Sequence, residues 1–151
     1  MPEVPGLRSP YAQVGRLVYV GRMLDKIRLH AAGRLPAEYV ANLGSNLPGR
    51  GFDHLCCTFL DVDYAALTER TLQGGTDEEI LAWCHARGGP RTDLQCEVWN
   101  GFLSKRGWRD AVSARLQQRI HEYGLEGQGV ETFFDLIDRD EDRDPAITRA
   151  R

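Results

Sequence analysis

No stretch of the 151 residues approaches the roughly 20 consecutive apolar positions that a membrane helix needs, so the membrane is not an expected partner. The opening Met1-Pro2-Glu3-Val4-Pro5-Gly6 lacks the basic and apolar regions of a signal peptide, and the cytoplasm is the expected location. An excess of one charge is missing too. A net charge of −3 supplies no field that would draw nucleic acid, which is likewise not an expected partner. Cysteine is sparse, with Cys56 and Cys57 adjacent and Cys84 and Cys96 in segments that read as buried. Without a secretory signal, these four read as reduced core thiols, not as a disulfide framework. Neither a Gly-x-Ser-x-Gly elbow nor a dinucleotide fingerprint occurs, so no cofactor is expected.

Strand patterning is nearly absent as well: only Leu17-Val18-Tyr19-Val20 looks extended. What is present is helix after helix, most of them closed by glycine. Val20 to Ala32 sets Met23, Leu24, Ile27 and Ala31 on one face, with Gly33 as the stop and Pro36 beyond. Asp53 is placed to cap a short helix through Leu60, and Asp63 another that ends at Gly74-Gly75. Thr76 with Glu79, and Thr92 with Gln95, spell capping boxes for two more helices. A long helix is expected from Asp110 to Gly124, with Val112, Leu116, Ile120 and Tyr123 on one side. A last one covers about Glu131 to Asp140 and buries Phe133, Phe134 and Ile137.

With 42% hydrophobic and 27% charged residues, and no repeat or linker, the chain reads as one soluble globular domain. The expected fold is all-α: a single compact domain of about six to seven helices over residues 8–141, with 1–7 and 142–151 as flexible tails. Its core should include Trp83, Trp99, Phe102, Phe133, Phe134, Leu24 and Ile27.

Several motifs together resemble one bacterial family, catalogued as domain of unknown function 5069. They are Arg8-Ser9-Pro10-Tyr11, the run Met23 to Gly33, Asn42-Leu43-Gly44, Gly74-Gly75-Thr76-Asp77-Glu78-Glu79-Ile80-Leu81, Trp99-Asn100 with Ser104 to Asp110, and Thr132 to Asp138. The resemblance covers roughly Arg8 to Glu141. It implies a small bacterial intracellular domain and carries no activity with it. One departure is the link Ser45 to Arg50, longer than the family pattern, where an insertion would reshape a pocket rim.

The run from Trp99 to Asp110 is the first candidate for chemistry. On a helical wheel at about 100° per residue, Leu94, Val98, Trp99, Phe102 and Leu103 form one apolar arc, and Arg106 falls inside it. A guanidinium aimed at a core needs a carboxylate or an anionic ligand. Arg106 therefore either ties helices together through Asp135 or Asp138, or grips a substrate with Trp99, Asn100 and Trp108 around it. On the Val20–Ala32 helix, His30 and Lys26 lie along one edge of the apolar stripe, and Asp25 and Arg28 flank the other. Such boundary positions suit acid–base groups, because partial burial shifts their pKa values. The bland alternative is an amphipathic helix whose edge charges pair along the surface.

Metal sites look poor. His54, Cys56, Cys57, Cys84 and His85 lack the Cys-x-x-Cys spacing of zinc sites, and the alternating aspartates from Asp138 carry Arg143 where a calcium loop needs glycine. Gly44 and Gly49 outline a phosphate loop, but Arg50-Gly51 replaces its lysine and hydroxyl residue, leaving only a weak anion-binding role. A helix–turn–helix at Gly88-Gly89 would present a helix without a basic face.

The expected function is a small cofactor-independent enzyme of lyase, isomerase or cyclase type, acting by acid–base chemistry on an anionic or polar small organic molecule. His30, Asp25 and Lys26 would be catalytic, and Arg106, Trp99, Asn100, Trp108 and Arg28 would bind substrate in a common pocket. The alternative is a non-catalytic helical ligand-binding or protein-interaction module. Nothing in the pattern specifies an oligomeric state.

Overall fold

The computed structural model describes residues 3–47 and 50–150. Two short strands, β1 (Gln13–Val14) and β2 (Leu17–Val18), pair antiparallel with Val14 opposite Leu17. Helices follow: α1 (Val20–Ala31), α2 (Ala37–Val40), α3 (Phe52–Leu60), α4 (Tyr64–Leu72), α5 (Asp77–Gly88), α6 (Asp93–Ser104), α7 (Ser113–Glu122), α8 (Phe133–Asp140) and α9 (Pro145–Thr148), with a 3₁₀ turn at Gly44–Asn46. Among the described residues, seven of these helices have eight residues or more and two are single turns. The fold is all-α apart from the two-stranded hairpin.

Local chemistry explains most helix starts. Asp63 accepts the Ala66 amide at 2.9 Å to open α4, and the boxes at Thr76 and Thr92 open α5 and α6. Asp53 does something else. Gly51 occupies the cap position of α3, and the Asp53 carboxylate turns into the core. The helix expected from Asp110 starts at Ser113, because Asp110 spends its carboxylate on the amides of Gly107 and Val112 in the preceding loop.

The main core gathers Leu24, Ile27, Cys56, Leu60, Leu67, Ile80, Trp99, Leu103 and Phe134. Trp83 packs against it half-buried, and Phe133 joins a separate cluster with Leu116, Ile120 and Leu136. Phe102 is a correction. It is 44% exposed, in line with Val98 and Leu94 on an outward face of α6, while Cys96, Trp99 and Leu103 face inward. The single apolar arc of the wheel is in fact two faces.

The segments expected as tails contain packed residues. Val4 and Leu7 are buried in a cluster with Leu29, Leu35, Tyr39 and Leu43. Arg143 donates to the Leu7 carbonyl, and Thr148 of α9 donates to Asp138 at 2.6 Å, so the described residues around Leu7 and Thr148 pack on the domain. Apolar burial at one end and ionic tethers at the other supply what a free tail lacks.

Candidate functional site

A cleft of about 400 Å³ opens between α1 and α3 on one side and α7 and α8 on the other. Its floor comes from α1. Tyr19, just before the helix, is held at φ 74°, a conformation costly for a bulky residue. Three contacts hold it there: its amide donates to the Pro10 carbonyl, its ring stacks on Phe134, and its hydroxyl donates to Asp53 at 2.6 Å. Lys26, two turns along α1, donates to Asp53 at 3.1 Å, to the Tyr19 hydroxyl at 3.3 Å and to the Asn42 carbonyl at 3.4 Å. The Gly44 amide completes the Asp53 cradle at 3.0 Å. Only glycine fits at that position: φ is +50°, and an added Cβ would meet the Tyr64 ring at 2.4 Å.

Burial pushes the Lys26 ammonium below the usual lysine range, with the Asp53 carboxylate opposing it. Burial also drives the Tyr19 hydroxyl well above the usual tyrosine range, and Asp53 adds to that. Beside this trio, Arg22 forms a bidentate pair with Glu141 at 2.9 and 2.7 Å, and Tyr39 donates to the same carboxylate. Burial opposes the Glu141 charge, but Arg22, Arg143 and Tyr39 together hold its pKa below the usual range.

The rim is cationic. Arg50, Arg106, Arg115 and Arg119 line it, with Phe52, Phe133 and Tyr123 as aromatic walls. Val112, Arg115, Arg119 and Tyr123 follow at helical spacing, so one side of α7 faces the cleft while Leu116 and Ile120 face the core. Arg119 touches Glu122 at 3.5 Å, a half-exposed pair of little energetic weight.

The eight residues singled out from the sequence are scattered. Lys26 and Arg106 both line the cleft. Arg106 lies beyond α6, because Gly107 (φ +99°) and Arg109 (φ 48°) turn the chain there. Its guanidinium sits 3.7 Å from Asp110 and over the Phe102 ring, and it pairs with neither Asp135 nor Asp138. Asp135 instead accepts the Tyr11 hydroxyl, and Asp138 holds Ser9, Thr148 and Arg143.

Asp25 and Arg28 form a separate ion cluster with Arg8 and Asp77. His30 is exposed at the far end of α1 and does not line the cleft. The expected common pocket of His30, Asp25 and Arg106 therefore does not form. Positions on two helix wheels fix a face for each residue, but not which faces meet.

Trp99 is core: it stacks on Phe59 with ring centroids 4.7 Å apart and donates to the Val18 carbonyl. Asn100 closes the open edge of β2, accepting the Val18 amide at 3.0 Å and donating to the Arg16 carbonyl at 2.6 Å. Trp108 and Asn100 line a second hollow of about 410 Å³.

The phosphate-loop outline fails in its described part, since the Gly44 amide is committed to Asp53. Gly49, and with it part of the longer Ser45–Arg50 link, lies outside the described residues. Arg50, at the end of that link, reaches the cleft rim.

Sequence reasoning gave the loop that holds Arg50 only a weak anion-binding role, and it missed Tyr19, Asp53, Arg115 and Arg119 as site residues. A signal exists for the last two: like charges one helical turn apart beside a strong apolar stripe. For Tyr19 and Asp53 there is none, since their roles depend on contacts between distant elements.

Known proteins add the family but no activity. No curated protein matches the chain. A family model, described as "Domain of unknown function (DUF5069)", matches residues 4–143, nearly the whole chain. With the motifs from Arg8 to Asp138 seated in one continuous helical domain, the chain belongs to the DUF5069 family.

Proposed function

We propose that the protein binds a small organic anion in the arginine-rimmed cleft, and that Lys26 at its floor exchanges a proton with it. The carrying observation is the convergence of four arginines on the rim of one cavity in a chain of net charge −3. Guanidinium forks grip carboxylate or phosphate in bidentate geometry, and aromatic walls hold an organic body. A lysine whose pKa is lowered by burial is a standard source of general acid–base chemistry. The reaction class this supports is a cofactor-independent lyase, isomerase or cyclase step, set in the cytoplasm, where the four buried cysteines would remain thiols.

A second reading, non-catalytic binding, is favoured by one specific observation. The Lys26 ammonium already has three acceptors, one for each of its N–H bonds, and so has no donor to spare in this arrangement.

Proton NMR in D₂O separates the two readings. The full chain is incubated with a panel of small carboxylates and phosphate esters carrying acidic C–H bonds. Protein-dependent deuterium exchange into a bound member supports proton transfer. Binding without exchange across the panel supports the non-catalytic reading, and absence of binding removes both.

A further inference from the structure

We infer that the anion taken by the cleft is a phosphate monoester of a small aromatic or cyclic alcohol, with its phosphate seated between Arg115 and Arg119. This rests on the anion-binding reading and narrows it to one ligand class. The floor cations are already neutralised, Lys26 by Asp53 and Arg22 by Glu141. The rim is not: four guanidinium groups stand there against two carboxylates, Glu38 and Asp140. Arg50 and Arg115 form no ion pair with any described carboxylate, and the Arg106 and Arg119 pairs are long, at 3.7 and 3.5 Å. Arg106 and Arg119 thus keep weak partners in Asp110 and Glu122, while Arg50 and Arg115 stand as two guanidinium charges with no ion-pair partner among the described residues. A monocarboxylate would leave part of that charge uncompensated, whereas a phosphate monoester near neutral pH carries about −1.5 to −2.

Geometry selects phosphate over a dicarboxylate of equal charge. Arg115 and Arg119 are one turn apart on the same side of α7, with Cβ atoms about 5–6 Å apart as that spacing dictates. One tetrahedral group with three acceptor oxygens spans two guanidinium forks so placed. Two carboxylates on a carbon frame must each find a separate partner. Without a ligand the pair repels along the helix, so an anion that bridges it relieves a cost already present in the fold. Phe52, Phe133 and Tyr123 then form the apolar wall for the ring of the alcohol.

The test is isothermal titration calorimetry on the full chain with phenyl phosphate, phenylacetate and phthalate at fixed ionic strength. Phenyl phosphate should bind about tenfold or more tightly than either carboxylate, as a bidentate arginine pair on one phosphate predicts. The R115Q/R119Q variant should lose about tenfold or more of that affinity. Both side chains are exposed, so its far-UV spectrum and thermal midpoint should match the parent, which makes a binding loss attributable to the site. If phthalate or phenylacetate binds as tightly, the phosphate class is overturned while the anion reading stands. If phenyl phosphate binds equally well to R115Q/R119Q, the seat on α7 is overturned. If none of the three binds the parent, both the inference and the reading beneath it fall.

Discussion

Truncating Phe134 to alanine strikes the point where the fold and the cleft are joined. The ring is fully buried. It meets Tyr11 edge-on at 5.1 Å between centroids, Phe52 edge-on at 5.6 Å, and Tyr19 in a stacked arrangement at 6.1 Å. Phe→Ala in a core costs about 3–5 kcal/mol through lost transfer energy and the cavity left behind. Three aromatic partners, each adding about 0.5–1.5 kcal/mol beyond area burial, place this site in the upper half of that range, about 4–5 kcal/mol. Against a total stability of about 5–15 kcal/mol, that is a large fraction. Urea denaturation followed by far-UV circular dichroism measures it, with Phe102→Ala as the control. Phe102 is 44% exposed, so its loss should cost less than about 1 kcal/mol. Because Tyr19 and Phe52 line the cleft, the Phe134 cavity should also weaken anion binding there. A loss below about 2 kcal/mol for Phe134→Ala, or one equal to that of Phe102→Ala, would refute the assignment of the core's centre.

Three other outcomes are expected. Lys26→Met strands the buried Asp53 carboxylate and should cost about 3–5 kcal/mol in the same denaturation assay, with part recovered in Lys26→Met/Asp53→Asn; a loss under about 1 kcal/mol would contradict the buried pair. Because Glu141 is held below its unfolded pKa, its contribution is full above that value and is lost as pH falls through the folded one. Glu141→Gln should therefore lower stability at pH 7 and flatten the acid limb of a stability–pH curve, and a parallel curve would contradict this. The four cysteines are buried, with the Cys57 thiol pushed up to about 12 and Cys84 to about 11 by burial, so labelling by Ellman's reagent should be slow until urea unfolds the chain.

Features governed by near neighbours along the chain are legible in the sequence alone. The capping boxes at Thr76 and Thr92, the cap at Asp63 and the span of α1 depend on residues three or four apart, and each is found where the spacing places it. Arg106 shows where such reasoning stops. Extending the wheel past Ser104 assumes continuous helix, but a Cβ on Gly107 would stand 2.8 Å from Leu116, and the chain turns there with φ at +99°. Asp53 is a second case. A carboxylate in a first helical turn reads as a cap, and only the arrival of Lys26, Tyr19 and the Gly44 amide gives it another role. Lys26 enters the candidate site from its edge position on one helix. Its partners and the cationic rim above it belong to tertiary contact.

The central claim, anion binding in the arginine-rimmed cleft, is tested most directly by NMR of the isotope-labelled chain during titration with phenyl phosphate. Side-chain Nε–Hε signals of Arg50, Arg106, Arg115 and Arg119, with backbone amides around Lys26 and along α7, should shift together along one saturable curve. Shifts centred instead on Asn100 and Trp108 around the second hollow, or no saturable shifts at all, would contradict it.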